Sequence, residues 1–373
     1  MRLASIDVLR TIAIVIMVVV HFLENLSGVR EWSPDGFGAP LFAFLSGASI
    51  RLWTVARIRR GDSSAQIARV LTRRGLFLFG LGLAFNFFLW LPEDFWIWDV
   101  LTFLGTASLI LAGVRLMPPT PAVLLAALAV LVSPALQQLA AYSEWWTSGY
   151  YEPGTTFSDI LLGFLVVGYF PLFPWIALPV IGFLVAAPLA CHNAPDSRYP
   201  GTQLTRCLLI PAAILAAISG SMLLVGMSSQ NILLQWTMFP ASIPYLTGMT
   251  SVAMLLMLTF HCWLDRPSSG TVATATTVSA SLLRTATLYS RYSLTLYLLH
   301  HAVHIYPIWL AGLWLQGDPT VFWGQAMHWS LSLALAMVFL AVSVPLVFIL
   351  NRRRTPTIET LMRWLCDDSV ATR

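Results

Sequence analysis

The sequence contains no lysine, and only 10% of its 373 residues are charged. Ordinary soluble domains are about 25% charged. The chain therefore has too little polar surface for a soluble globule, and the same scarcity excludes a disordered tail and a basic nucleic-acid-binding protein. Its four cysteines are scattered without the spacing of a metal site, and no soluble domain or internal repeat is visible.

Long apolar runs are what the sequence has in abundance. Hydrophobic residues make up 57% of it, and the mean hydropathy is +0.75. Since a membrane-spanning helix needs about 20 mostly apolar residues, these runs predict an all-α polytopic membrane protein of about ten transmembrane helices. The predicted spans are residues 8–25, 37–56, 74–91, 96–115, 121–141, 171–190, 206–227, 243–263, 288–312 and 328–350. A shorter apolar stretch at 157–170 is interpreted as a re-entrant or interfacial helix.

The arginines separate into two sets of loops. Every second predicted loop is rich in arginine, whereas the opposite set holds only Arg30. Because cytoplasmic loops carry an excess of basic residues, both termini are predicted to be cytoplasmic. We predict one transmembrane domain over residues 1–350 and a cytoplasmic C-terminal segment over 351–373. The arginines on the predicted cytoplasmic side are Arg57, Arg59, Arg60, Arg69, Arg73, Arg115, Arg198, Arg206, Arg266, Arg284, Arg352, Arg353, Arg354, Arg363 and Arg373.

A polar stripe on the first helix is the most informative feature. Arg10 and His21 are eleven residues apart, which puts them on one face of a helix and about 16 Å apart along its axis. Asp7 and Glu24 extend the same stripe at either end. Such residues inside a span usually face a cavity or a partner. Two structural alternatives stay open: Arg10 as a boundary anchor paired with Asp7, and His21 as a buried histidine bonded to a neighbouring helix.

The ninth span carries a second polar stripe. Ser293, Tyr297, His300 and His304 fall within about 60° of one another on a helical wheel. His300 and His304 have the i, i+4 spacing of metal ligands, but no HExxH-type acid accompanies them, so we predict no metal. Interhelical hydrogen bonding is the alternative role for this stripe. Asn86 and Asp99 are further polar candidates.

Several sequence motifs resemble those of membrane acyltransferases. Arg10 and His21, with ten residues between them, are similar to the first-helix signature of acyltransferase family three. The wider frame resembles bacterial proteins related to the heparan-α-glucosaminide N-acetyltransferase catalytic domain. The segments that carry this resemblance are 5–10 (SIDVLR), 39–47 (APLFAFLSG), 170–175 (FPLFPW) and 293–300 (SLTLYLLH). The chain departs from that family at Thr11, where glycine is usual, and by having no histidine in residues 22–60.

The resemblance implies a transmembrane acyltransferase in a bacterial plasma membrane. It would move an acyl group, the acetyl of acetyl-CoA above all, from cytoplasmic acyl-CoA to a sugar or another polar acceptor on the outer side. His21 would act as general base or as the acyl-accepting nucleophile, and Glu24, His300 and Tyr297 complete the predicted catalytic set. The expected partners are the lipid bilayer, acyl-CoA and the acceptor, with no nucleic acid; a homodimer is left open.

Coenzyme A carries several phosphate charges, and arginine matches phosphate geometry well. We therefore predict that Arg10, Arg69, Arg73 and Arg74 bind it; the alternative for each is a plain positive-inside charge. A secondary transporter of a small polar or anionic solute is the rival function, since transporters also combine many spans with intramembrane polar residues.

Overall fold

A computed structural model describes residues 2–29, 36–192, 201–229, 234–265 and 277–367. The described residues are almost entirely helical, with one two-stranded antiparallel hairpin. The helices are α1 (Ala4–Ser27), α2 (Gly38–Arg59), α3 (Ser64–Leu89), α4 (Val100–Val114), α5 (Pro119–Leu139), α6 (Phe157–Leu162), α7 (Leu172–Trp175), α8 (Ala177–His192), α9 (Gly201–Ser229), α10 (Ile243–Phe260), α11 (Thr277–Arg291), α12 (Ser293–Gln316), α13 (Trp329–Arg353) and α14 (Ile358–Cys366). The strands are β1 (Trp146–Thr147) and β2 (Tyr150–Tyr151).

The prediction of an all-α polytopic membrane protein is confirmed. Within the described ranges, nine helical segments are long and apolar enough to cross a membrane. They are Ala4–Ser27, Gly38–Arg59, Ser64–Leu89, Glu93–Val114, Pro119–Leu139, Phe157–Leu189, Leu204–Met227, Ile243–Asp265 and Trp329–Arg353. The cytoplasmic placement of both termini stays a prediction, and Arg30, Arg198, Arg266 and Arg373 lie outside the described residues.

Two predicted segments differ in detail. The span expected at 288–312 is interrupted at Tyr292, which separates α11 from α12. α12 has 24 residues, a length that spans a bilayer, but it is not among the nine segments. The stretch at 157–170 is α6 followed by a turn of π-helix at Gly163–Val167.

Contacts between residues divide the chain into two compact units. The first comprises residues 1–2, 40–260 and 365–373, and the second comprises 3–39 and 261–364. The expectation of a single domain over 1–350 stays a prediction.

Close helix packing in the first unit depends on glycines. A side chain at Gly47 of α2 would overlap the carbonyl of Pro179 on α8, and one at Gly182 would overlap the carbonyl of Phe44. On α3, a Cβ at Gly75 would lie 2.9 Å from the carbonyl oxygen of Gly105 on α4. Such contacts are expected where small residues let membrane helices approach.

In the second unit, α1 packs against α11, α12 and α13. The Phe22 ring of α1 lies 5.9 Å from that of Phe339 on α13. α1 ends at Gly28, whose φ of +68° favours glycine. A Cβ there would approach the carbonyl oxygen of Gly324 to 2.6 Å. The chain after α12 thus closes tightly over the end of α1.

Candidate functional site

The start of α1 is fixed by a carboxylate from elsewhere in the chain. Leu3, at the N-cap position, offers no side-chain hydrogen bond. Instead, Asp265 Oδ1 accepts from the amide of Ala4 at 2.8 Å, and Oδ2 accepts from the hydroxyl of Ser5 and from Nδ1 of His261 at 2.9 Å. A negative group bonded to free N–H groups stabilises a helix start. The register of α1 is therefore set from its N-terminus.

Arg10 lies half-buried one to two turns further along. Its Nη1 donates to the Ser290 hydroxyl on α11 at 3.0 Å. Thr11, where the related family usually has glycine, donates its hydroxyl to the carbonyls of Asp7 and Ala286, at 2.8 and 3.1 Å. Asp7 is buried and accepts from the Thr287 hydroxyl at 3.4 Å. The N-terminal half of the polar stripe thus joins α1 to α11.

His21 meets His300 of α12. The two rings are nearly parallel, with 7° between their planes and 5.3 Å between their centroids. His21 Nδ1 lies 2.9 Å from His300 Nε2, a hydrogen-bond distance. The structure therefore brings together two of the predicted catalytic residues, which are 279 positions apart in the sequence.

The backbone of α12 decides which nitrogens carry protons. His300 Nδ1 lies 3.1 Å from the Leu296 carbonyl oxygen. A carbonyl oxygen can only accept, so in neutral His300 the proton is on Nδ1 and Nε2 presents a lone pair. His21 must then donate from Nδ1, which leaves the lone pair of His21 on Nε2. Among the described residues, no hydrogen bond reaches that Nε2.

Two further histidines extend the cluster. His301 Nδ1 faces the Tyr297 carbonyl at 3.1 Å, and its ring lies 4.6 Å from that of His21. His304 Nδ1 faces the His300 carbonyl at 2.6 Å, and its Nε2 accepts from the Asn25 amide at 2.8 Å. All three histidines of α12 are buried. We define His21, His300, His301 and His304 as the histidine cluster.

The remaining predicted catalytic residues take less direct positions. Tyr297 is buried, and its ring lies 4.9 Å from His301 and 5.6 Å from His300. Glu24 is half-buried one turn after His21, and its backbone carbonyl accepts from the Gly28 amide. His300, rather than Glu24, is the hydrogen-bond partner of the His21 ring.

The arginines predicted on α3 belong to the first unit. Arg69 and Arg73 are exposed. Arg74 forms a bidentate pair with Asp367, with Nε and Nη2 at 2.9 and 2.7 Å from the carboxylate oxygens. Its guanidinium also lies 4.9 Å from the Trp53 ring. Because Arg74 already has a carboxylate and an aromatic partner, it holds Asp367 to α3.

Two other polar candidates have structural roles. Asp99 is the N-cap of α4 and accepts from the amides of Leu101 and Thr102, both at 3.1 Å. Asn86 donates to the Phe95 carbonyl at 3.1 Å. Both satisfy backbone groups at helix ends.

An apolar cavity of about 460 Å³ borders the histidine cluster. His304 is part of its wall, and most other lining side chains are aliphatic or aromatic, including Phe22, Leu299 and Phe339. The cavity suits an apolar group; charged phosphates would need the arginines.

Sequence reasoning missed His301, Asn25 and Ser290. His301 is 100° around α12 from His300, so it lies off the predicted stripe. The adjacent histidines in an otherwise apolar run were the available signal. Asn25 and Ser290 look like ordinary polar residues until α1, α11 and α12 are packed together.

Comparison with known families gives a match over the first part of the chain. The model of the family described as heparan-alpha-glucosaminide N-acetyltransferase, catalytic, matches residues 2–230. This range includes Arg10 and His21 and ends before α12. A search of curated proteins returned no match.

Proposed function

Because the chain belongs to the heparan-alpha-glucosaminide N-acetyltransferase catalytic family, we propose that it transfers an acetyl group from acetyl-CoA to a polar acceptor. The acceptor would be an amine or hydroxyl of a sugar or a similar molecule. Family membership indicates a membrane acetyltransferase; the donor, the acceptor and the residues are our proposal. The observation that carries it is the Nδ1–H···Nε2 bond from His21 to His300, which directs the lone pair of His21 to Nε2.

His21 would serve as the general base. Its Nε2 accepts the proton of the acceptor N–H or O–H as that atom attacks the thioester carbonyl carbon. The C–S bond then breaks, and the coenzyme A thiolate takes the proton from Nε2. The chain from His21 through His300 to the Leu296 carbonyl orients the base and stabilises the imidazolium that forms, as a partner on the second ring nitrogen does in other histidine bases.

The same nitrogen could act as a nucleophile instead. Nε2 would then attack the thioester carbon and expel the thiolate, giving an acetyl-imidazolium stabilised by the bond from Nδ1 to His300. The acceptor would displace Nε2, and its proton would go to the thiolate. Both routes need a neutral His21 with its lone pair on Nε2.

Arg10 would contact the phosphates of the donor. It lies on the same face of α1 as His21, about 16 Å away along the axis, a distance that suits an extended pantetheine arm. Its Nη1 is held by Ser290, so the guanidinium is already oriented. Arg69 and Arg73 stay predicted phosphate ligands, whereas Arg74 is paired with Asp367. The donor would enter from the cytoplasmic side.

A transfer assay with His21→Asn tests the proposal. Purified protein is mixed with labelled acetyl-CoA and a panel of amino sugars and sugars, and labelled product is measured. Asparagine keeps an amide N–H that can donate to His300 but has no counterpart of Nε2. His328→Asn is the matched control, since His328 is an exposed N-cap of α13 and asparagine also caps helices well.

We expect wild type and His328→Asn to transfer acetyl groups and His21→Asn to lose transfer while remaining folded. Full turnover by His21→Asn would overturn the assignment. If acetyl-CoA is neither consumed nor stabilises the protein to heat, the transporter alternative is favoured. To separate the two routes, the protein is incubated with acetyl-CoA without acceptor; an acetylated peptide containing His21 indicates the nucleophilic route.

A further inference from the structure

Three imidazoles of the histidine cluster lie close together, whereas a base and its hydrogen-bond partner account for only two. Ligand nitrogens of His21, His300 and His301 all lie within 4.8 Å of one another. The sequence led us to expect no metal because only the His300–His304 pair had ligand spacing and no acid followed. The observed triad instead combines α1 with two consecutive residues of α12.

The size of this triangle allows a tetrahedral metal ion. Zinc–nitrogen bonds are about 2.0–2.1 Å, which places two tetrahedral ligand nitrogens about 3.3 Å apart. The pair His21 Nδ1 and His300 Nε2 is 2.9 Å apart, and the largest separation in the triad is below 4.8 Å. The required distance falls between these values, so side-chain rotations could form the site without moving a helix.

The surroundings of the two α12 ligands are those of metal-binding histidines. His300 and His301 each direct Nδ1–H to a backbone carbonyl four residues earlier, at 3.1 Å. A metal-ligating histidine almost always donates its other N–H in this way, which fixes the ring and leaves Nε2 for the ion. We propose that His21, His300 and His301 form a binding site for one divalent transition-metal ion of the zinc class.

The chemistry of the ligands selects the kind of ion. Neutral imidazole suits zinc, copper, nickel and iron, whereas magnesium and calcium prefer oxygen. Three protein ligands leave a fourth position open, as in catalytic zinc sites. Glu24, one turn after His21 on α1, is the nearest carboxylate in sequence that could offset the added charge.

Metal binding would oppose the base function of His21. The His21 nitrogen that faces His300 is Nδ1, and an ion in the triad would bind it there. Nδ1 must then lose its proton, and the neutral ring carries its hydrogen on Nε2 instead. Nε2 could no longer accept a proton or attack a thioester, so zinc would inhibit acyl transfer. This consequence rests on the proposed function, but the metal site itself does not.

Metal binding can be measured without any acceptor. Full-length protein is purified in detergent without a histidine tag, stripped with a chelator and titrated with Co²⁺ while its visible d–d bands are recorded. Zinc content is then measured after equilibration with Zn²⁺. We expect one ion per chain and the absorption bands of tetrahedral Co²⁺, which disappear when Zn²⁺ displaces the Co²⁺. His21→Asn, His300→Gln and His301→Gln should each weaken binding by more than the roughly 10–100-fold that loss of an outer partner costs, whereas His328→Asn should bind normally.

The experiments distinguish failure of the metal-site proposal from failure of the acyltransferase proposal. A wild-type protein that shows no Co²⁺ bands and holds no stoichiometric zinc overturns the metal site, even if transfer depends on His21. If zinc binds, the transfer rates of wild type, His300→Gln and His301→Gln are each compared with their own zinc-free rates, and inhibition should require the intact triad. Zinc that binds in the triad and leaves the rate unchanged, or raises it, overturns the inhibitory role. The binding result stands whether or not any transfer activity is found.

Discussion

The two ends of α1 carry polar groups in different ways. At the N-terminal end, Asp265 accepts from two backbone amides, a hydroxyl and an imidazole, so four donors reach the two oxygens of this carboxylate. At the C-terminal end, His21 donates to His300 through Nδ1 and keeps a lone pair on Nε2. The polar groups of the first end hold the start of the helix, whereas the second end presents the nitrogen that we propose as the base.

The difference shows how to separate an anchor from a site when both are buried. Buried polar groups are normally fully hydrogen-bonded, because an unmet group costs free energy. A saturated carboxylate such as Asp265 is explained by structure alone. The position of His21 is different, because only Nδ1 takes part in a hydrogen bond among the described residues, and holding the helices together does not explain the lone pair on Nε2. Variants at the two ends should therefore affect different measurements.

The largest effect should come from the available nitrogen itself. His21→Asn should lower the transfer rate by about 10²–10⁴-fold, the usual contribution of a positioned base. The thermal midpoint should change little, since the new amide can still donate to His300. Initial rates per folded molecule measure this. A rate within tenfold of wild type would place the chemistry elsewhere.

His300 should have the next largest effect, as a positioning residue. His300→Leu removes the acceptor for His21 Nδ1–H, and a misplaced base can cost about 10²-fold in rate. The loss should fall on kcat and leave KM for acetyl-CoA unchanged. His300→Gln, whose side-chain oxygen can accept the same bond, should recover most of the rate. Equal loss in both variants would mean that packing, rather than the hydrogen bond, is what matters.

At the opposite end of α1, the expected effect is on stability. Asp265→Ala leaves the first amides of α1 without their acceptor, and hydrogen bonds to a charged group contribute about 1.5–3 kcal/mol. We expect a lower thermal midpoint and a smaller change in rate per folded molecule than for His300→Leu. Asp318→Ala is the control, because this exposed carboxylate bonds only within its own turn to Thr320 among the described residues. Hydrogen bonds from Thr320 lower the pKa of Asp318, so this control carboxylate is ionised at neutral pH. An equal shift in both variants would contradict the anchor.

Arg10 should have the smallest effect of the four. Arg10→Ala should raise KM for acetyl-CoA about tenfold with a smaller change in kcat, because the lost contact is made with the donor before and during reaction. Arg10→Lys keeps the charge and should lie between the two. Ser290→Ala, which removes only the partner of the guanidinium, is the matched comparison. A large loss of kcat with unchanged KM would refute a donor-binding role.

The sequence predicted what depends on local pattern. Apolar runs predicted the spans, and the helical period put Arg10 and His21 on one face. The sequence could not predict that His21 and His300 form a hydrogen bond, because no local pattern shows which distant helices pack together. It could not show the partner of Arg74 for the same reason, since Asp367 is nearly 300 residues away; the binding of coenzyme A by Arg74 stays a prediction. The sequence could not predict that His301 faces His21, because the side of α12 that packs against α1 is known only from the structure.

The long separation between α1 and its polar partners has a consequence for biosynthesis. The side chains that bond to Ser5, Arg10, His21 and Asn25 come 260 to 280 residues later in the chain. At a synthesis rate of about 5–20 residues per second, α1 would wait roughly 15–55 s for them. During that interval its polar stripe has to be tolerated in the membrane by the insertion machinery, by lipid headgroups or by water. Although α1 is made before α11, α12 and α13, it acquires its full set of polar partners only after they are made.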